Sequence, residues 1–491
     1  MNWFVIYPEI FLLIMACLVA LLDLWSQDPL RQRAYLTALM TLAALALWHA
    51  IVAVNDMQGT AFGGMVVLDT MGSWLKSAAS LALLVTLVYA KPYAQSRDML
   101  RGSEMFSLSL LALLGMFVMM SGNHLLLLYM GLELLTLCSY ALVALRRDDL
   151  SASEAAMKYF VLGAMASGFM LYGMSMMYGA TGTLELPALA AQLSLGQADS
   201  RVLALGVVFV VAGLAFKLGA VPFHMWVPDV YEGAPTAVTL MLAAAPKLAA
   251  FALAMRLLVA GFLPLAMDWQ PMLALLAVMS LLVGNLAAIA QRSLKRMLAF
   301  STISHVGFLL LGLVAGVSVQ GGAEQAVQAY SASMFYALTY VLTTLATFGV
   351  MLLLSREGFE SDQLEDFAGL NQRSPWLAGA MAACMFSLAG VPPLVGFYAK
   401  FAVLQAVLGS HTPFALALVL FALAMSLVGA FYYLRLIKIM YFDAPSQTQA
   451  PNPGVGARVT LTLNVAAMLV LGLLPSGLFA LCTQAMVSLL V

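Results

Sequence analysis

Apolar residues run along this 491-residue chain in long windows separated by short polar connections. A helix crossing the hydrocarbon of a bilayer needs roughly 20 apolar residues. Fourteen windows approach or exceed that length, at about 3–22, 34–54, 74–91, 105–120, 124–145, 157–178, 203–224, 236–260, 271–290, 297–316, 327–354, 376–408, 414–440 and 459–490. The pattern predicts an all-α polytopic membrane protein with 14 transmembrane helices. Two windows are long and interrupted, 376–408 by GVPPLVG and 459–490 by LPSG, and the seventh runs into VPFH. Basic residues sort by side. Alternate connections hold Arg31, Arg33, Lys91, Arg97, Arg101, Arg146, Arg147, Arg292, Lys295, Arg296, Arg356, Arg373 and Arg458, while the opposite set holds only Arg201. Lys/Arg-rich loops stay cytoplasmic, so both termini are expected on the far side.

Composition agrees. The chain is 63% hydrophobic and 9% charged, against about 25% charged in soluble domains. A net charge of −1 offers no basic surface for nucleic acid. Cys17, Cys138, Cys384 and Cys482 are scattered, with no CxxC or Cys/His spacing, so metal, haem, iron–sulfur and disulfide readings lack support. The start, MNWFVIYPEIF, has neither a basic n-region nor a cleavage site and reads as a retained span. The longest polar stretches, 179–202 and 355–375, are loops, and EGFESDQLEDFAG at 357–369 is expected to be a solvated acidic one.

Charges inside the windows change the picture. Six basic residues fall within or at the ends of spans: Lys76, Lys158, Lys217, Lys247, Arg256 and Lys400. Lys76 and Arg256 lie near span ends and are expected to snorkel, whereas Lys158 is balanced between snorkelling and a relay role. Lys217, Lys247, Lys400 and Glu133 are flanked by apolar residues on both sides. A charge at the bilayer centre costs roughly 2.5–3.5 kcal/mol on insertion scales, so these groups together ask for about 10 kcal/mol. One central acid does not neutralise three lysines, which favours a proton or ion path over electrostatic glue. Each lysine also has a helix breaker nearby: Pro222 after Lys217, Pro246 before Lys247, and Gly390, Pro392, Pro393 and Gly396 before Lys400. Irregular backbone at membrane depth survives only against protein or water, and paired broken helices mark inverted-repeat transporters. The seventh and twelfth spans are five apart, which predicts two inverted five-helix repeats, helices 4–8 and 9–13, with broken helices 7 and 12. His224 and His305 are possible relay members, since imidazole titrates nearest neutrality; His49, His124 and His411 have no such company.

The stretches YPEIFLLIMACLVALLDLW, LLLLYMGLELLTLCSYALVAL, FKLGAVPFHMWVPDVYEGAPT, LKRMLAFSTISHVGF and FSLAGVPPLVGFYAKF resemble the antiporter-like membrane subunits of respiratory complex I, the proton-translocating NADH:quinone oxidoreductase, and within them the subunit N group. The resemblance covers nearly the whole chain. It implies an N-terminal three-helix segment (1–104), two antiporter-like repeats (105–260 and 271–440) and a C-terminal helix (459–490). It further implies that Glu133 pairs with Lys217, that Lys247 is the central relay, and that Lys400 is the outlet-side carrier. No redox motif is present, so NADH, FMN, iron–sulfur clusters and quinone are expected in partner subunits. Other membrane subunits of complex I, including paralogous antiporter-like ones, are the expected partners, with protons and internal water as cargo. The implied place is a bacterial inner membrane, with periplasmic termini. A sodium/proton antiporter subunit and a non-pumping membrane scaffold are the competing readings; sodium would want a cluster of oxygen ligands, and there is one central carboxylate.

Overall fold

Hydrocarbon offers backbone groups no partner, so a chain this apolar closes its own hydrogen bonds along helices. The computed structural model describes residues 2–25, 28, 30–317, 322–412, 414–445 and 454–490. In chain order the first helices are α1 (Tyr7–Trp25), α2 (Gln32–Val54), α3 (Thr70–Ser96), α4 (Glu104–Ser121), α5 (Leu125–Val143), α6 (Leu150–Thr181) and α7 (Leu186–Ser194). Then come α8 (Ser200–Leu218), α9 (Trp226–Gly233), α10 (Thr236–Ala243), α11 (Ala245–Ala254), a π-helical turn (Met255–Gly261), α12 (Ala266–Ile289) and α13 (Leu294–Ala315). The last are α14 (Ala323–Leu354), α15 (Leu370–Arg373), α16 (Pro375–Ala389), α17 (Val395–Gly409), α18 (Ala415–Phe442), α19 (Val455–Leu473) and α20 (Ser476–Leu490).

Among the described residues, 13 helical stretches are long and apolar enough to cross a membrane, with Thr236–Gly261 counted as one. The stretch 376–408 is not a single helix: α16 and α17 are 15 residues each, on either side of the GVPP turn. The last window likewise divides into α19 and α20, and α8 stops at Leu218, short of VPFH. One element departs from an all-helical reading. Strands β1 (Gly59–Ala61) and β2 (Val66–Leu68) pair antiparallel, Gly59 opposite Leu68, and cover Val5, Ile6 and Val52 with Ala61 and Leu68.

Helix association in lipid rests on close backbone approach at small residues. A Cβ on Gly115 of α4 would stand 2.7 Å from the carbonyl oxygen of Gly131 on α5. A Cβ on Gly284 of α12 would stand 2.6 Å from the Ser304 nitrogen of α13. The centre of the bundle is the span Thr236–Gly261, whose apolar window is 100% buried, with α13 at 94%; α1 and α19, at 22%, lie at the edge.

Candidate functional site

Helix α8 ends because Gly219 turns to φ 84°, a left-handed conformation that favours glycine. The Gly219 N–H donates to the carbonyls of Ala215 (2.9 Å) and Phe216 (3.0 Å), and the Ala220 N–H donates to Ala215 (2.8 Å). Helix α16 ends the same way. Gly390 sits at φ 88°, its N–H donates to Phe386 and Ser387 at 3.0 Å, and Val391 donates to Phe386 at 2.9 Å. A cis peptide follows at the same offset in both, Val221–Pro222 and Pro392–Pro393.

A terminated helix leaves carbonyls without intrahelical donors, and its C-terminus favours cations. A lysine answers each terminus. Lys247 of α11 donates from Nζ to the Leu218 carbonyl at 2.8 Å. Lys400 of α17 donates to the Ala389 carbonyl at 3.0 Å and to Ser426 Oγ at 2.9 Å. Leu218 and Ala389 both immediately precede the left-handed glycine. Aromatic rings complete the two settings, Trp226 at 5.8 Å from Lys247 Nζ and Phe308 at 5.1 Å from Lys400 Nζ. Lys217, next to Leu218 in the chain, donates to Thr136 Oγ1 on α5 at 2.9 Å. All three lysines are buried, and none has a carboxylate within 4.0 Å among the described residues. Glu133 is one turn before Thr136 on α5, half-buried, with Oε1 buried and unpartnered.

Two small cavities flank this pair of breaks. One, about 10 Å³, is bordered by Thr136, Tyr159 and Lys217; the other, also about 10 Å³, by His305, Tyr340 and Ser387. Each has room for about one water. His305 is buried between two phenols, with Nδ1 2.6 Å from Tyr336 Oη and Nε2 3.1 Å from Tyr433 Oη. Tyr433 reaches Ser301 Oγ at 2.5 Å, and Tyr340 donates to Thr302 at 2.8 Å, so the polar run continues along α13.

Residues 122–426 match the family described as NADH:quinone oxidoreductase/Mrp antiporter, transmembrane. The chain is 62% identical over 486 residues, 99% of it and 97% of the other, to the NADH-quinone oxidoreductase subunit N of Polaromonas naphthalenivorans. It is 53% identical to that of Herminiimonas arsenicoxydans, over 99% of this chain and 98% of the other. The chain belongs to the NADH-quinone oxidoreductase subunit N family. Among solved structures, a chain of respiratory complex I from Thermus thermophilus with bound aureothin is 33% identical, with a TM-score of 0.80 over 96% of this chain and 98% of that one. A chain of the Mrp complex from Dietzia sp. reaches a TM-score of 0.85 at 21% identity, over 100% of this chain and 98% of that one, a likeness of fold alone.

In this subunit N family member the other ionisable residues have different settings. Lys158 stays outside the buried set: its side chain is 44% exposed and bridges Glu154 (2.8 Å) and Asp229 (3.0 Å). Arg296 holds Asp229 (2.9 Å) and Glu232 (2.8 Å) beside it. Burial pushes the Asp229 carboxyl up, but hydrogen bonds from Lys158 and Arg296 outweigh it and hold the group below the usual carboxylate range. His224 lies half-buried in the turn before α9, with Nδ1 buried and unpartnered.

Lys76 and Arg256 do not snorkel. Each is buried and paired, Lys76 with Glu9 at 2.5 Å and Arg256 with Asp69 at 2.6 Å. An acid at the same depth on a neighbouring element was the missing signal, and sequence spacing does not carry depth. Lys295, counted above as a loop cation, is buried and donates to the Ala234 carbonyl at 2.8 Å. The acidic loop is docked rather than solvated: Glu360 accepts from Tyr93 (2.5 Å) and Thr236 (2.7 Å) and pairs with Arg97 (2.8 Å). It thereby ties α3 to the start of α10.

Proposed function

We propose that this chain is the antiporter-like membrane subunit of an NADH-quinone oxidoreductase and translocates protons across the membrane. Electron transfer from NADH to quinone in partner subunits, which hold the FMN and iron–sulfur clusters, drives it. The observation that carries the reading is the matched pair of helix termini, each offering a backbone carbonyl to a buried lysine. An ammonium in contact with an acceptor or an acid keeps its proton, and one left in apolar surroundings gives it up. Small movements at a helix break therefore load and unload a lysine.

In this scheme Lys217 takes the proton, held by Thr136 or by Glu133 as α5 and α8 shift. Lys247 is the central relay, His305 with Tyr336 and Tyr433 spans the middle, and Lys400 is the outlet-side carrier. Moving one charge against 100 mV costs about 2.3 kcal/mol, and two pKa units supply about 2.7 kcal/mol. His224 is placed to extend the path from the turn after α8. Lys158, exposed and doubly paired, is assigned a holding role outside the path.

The architecture consistent with this mechanism is 14 transmembrane helices, with α16 and α17 together forming one broken span. Two inverted five-helix repeats, at 105–260 and 271–440, then follow the 1–104 segment and precede the C-terminal helix at 459–490. The common backbone geometry around Gly219 and Gly390 supports that repeat. The basic-residue asymmetry supports a bacterial inner membrane location with both termini periplasmic, among other complex I membrane subunits, paralogous antiporter-like ones included.

The test is proton flux in proteoliposomes containing the assembled complex. Lys247→Ala and Glu133→Ala are each expected to lower the proton-to-electron ratio. An unchanged ratio in both overturns the pumping role and leaves a scaffold, and sodium-dependent exchange by the chain alone would point to an antiporter.

A further inference from the structure

Outside the two helix breaks, the first four helices enclose a second group of buried ionisable side chains. Lys76 of α3 is 1% exposed and bonded to Glu9 Oε1 of α1 at 2.5 Å. Its Nζ lies 5.4 Å from the centroid of the Phe117 ring of α4. The same ring receives His49 of α2 edge-on, centroids 5.0 Å apart and planes at 90°. Phe117 therefore brings His49 and Lys76 into one neighbourhood. Ser77 Oγ, donating to the Ala46 carbonyl at 2.8 Å, fixes α2 against α3 beside Lys76 and one turn before His49.

Several polar atoms here have no hydrogen-bond partner among the described residues. His49 is 0% exposed and neither ring nitrogen has a partner. Glu9 Oε2 is buried without one, and so is Ser73 Oγ, one turn before Lys76 on α3. Most buried polar atoms in folded chains have a hydrogen-bond partner, and clusters of unpartnered ones are the places internal water occupies. An imidazole needs at least one donor or acceptor for its two nitrogens, and this one faces a ring and an ion pair. The titratable and charged groups around it are Glu9 from α1 and Lys76 from α3. The Asp69–Arg256 pair lies at the α3 N-terminus, and α4 contributes the Phe117 ring.

We propose that Glu9, His49 and Lys76 form a hydrated proton-binding site in the first three spans, separate from the Lys217–Lys247–Lys400 set. Its ligands are water and a proton. Glu9 and Lys76 cancel in charge, so uptake of one proton at a ring nitrogen of His49 takes the site from neutral to +1. Water hydrogen-bonded to the free Glu9 oxygen joins that ring to the first turn of α1, at the end of the span.

The experiment is imidazole C2 hydrogen–deuterium exchange, read peptide by peptide by mass spectrometry on the assembled complex across a pH series. The wild type is expected to show His49 exchanging with a sigmoidal pH dependence, faster than His305, whose two nitrogens are held by tyrosines. In the double variant Glu9→Gln/Lys76→Met, which removes both charges together, the midpoint of the His49 curve is expected to shift, because the ammonium that shares the Phe117 ring with His49 is lost. His49 exchanging no faster than His305 at every pH overturns the proposal, and the wild type alone delivers that result. A midpoint unmoved in the folded double variant overturns the coupling of the three residues.

Discussion

Asp229 shows how a single side chain in this protein is decided by its partners. Lys158 and Arg296 hold it as a carboxylate against the cost of partial burial. Because its pKa is lowered on folding, its stabilising contribution is complete above the ordinary aspartate value. It disappears as the pH falls through the lowered value. The pairs are partly exposed, so the contribution is about 0.2–1 kcal/mol each. Thermal scans of the detergent-solubilised complex are expected to show wild type and Asp229→Asn converging below about pH 4, with wild type the more stable at neutral pH. A constant difference across the series would count against the pairing. The buried lysines follow another rule: each is held by a neutral acceptor, Thr136, Leu218 or Ala389, with no counter-ion in contact among the described residues.

Between elements, the buried Asp69–Arg256 pair fastens α3 to the span Thr236–Gly261. Asp69 caps α3 by accepting from the Gly72 N–H at 2.8 Å and binds Arg256 of the π-helical turn, which also donates to the Met120 carbonyl at 2.8 Å. Removing one partner of a buried pair costs about 3–5 kcal/mol, while replacing both by apolar side chains is often neutral. Asp69→Leu and Arg256→Met are each expected to lower the melting temperature of the complex, and the double variant to recover most of the loss. Additive losses would refute the pairing as the cause. This contact marks the limit of what the chain shows before folding. Span positions, the breaks at GVPP and VPFH, and the buried character of Lys217, Lys247 and Lys400 were legible, because length, apolarity and proline act locally. Which acid meets which base was not, because Glu9 and Lys76 lie 67 positions apart and only packing brings them together. Glu360 was read as solvated for the same reason: its partners Tyr93 and Thr236 come from α3 and α10, far away in sequence.

For the whole molecule, burial is graded from the edge helices α1 and α19 to the centre at Thr236–Gly261 and α13, where Lys247 and His305 lie. The docked loop with Glu360 closes one end of that centre, at the start of the span that carries Lys247. Backbone is harder to relocate than a side chain, and here the acceptor is backbone. The carbonyl before the left-handed glycine has the same setting at both breaks, yet its cation arrives from different elements, Lys247 just ahead of the π-helical turn and Lys400 from the half-helix after the break. Ser426 of α18 already touches the Lys400 ammonium. The charge is therefore portable: Lys400→Ser is expected to abolish transport through this half, and Lys400→Ser/Ser426→Lys to restore it in part, measured as the proton-to-electron ratio in proteoliposomes. A docking point made of backbone would then stay in place while the docked group migrates, so a lysine missing from its usual helix in a relative need not mean a lost function.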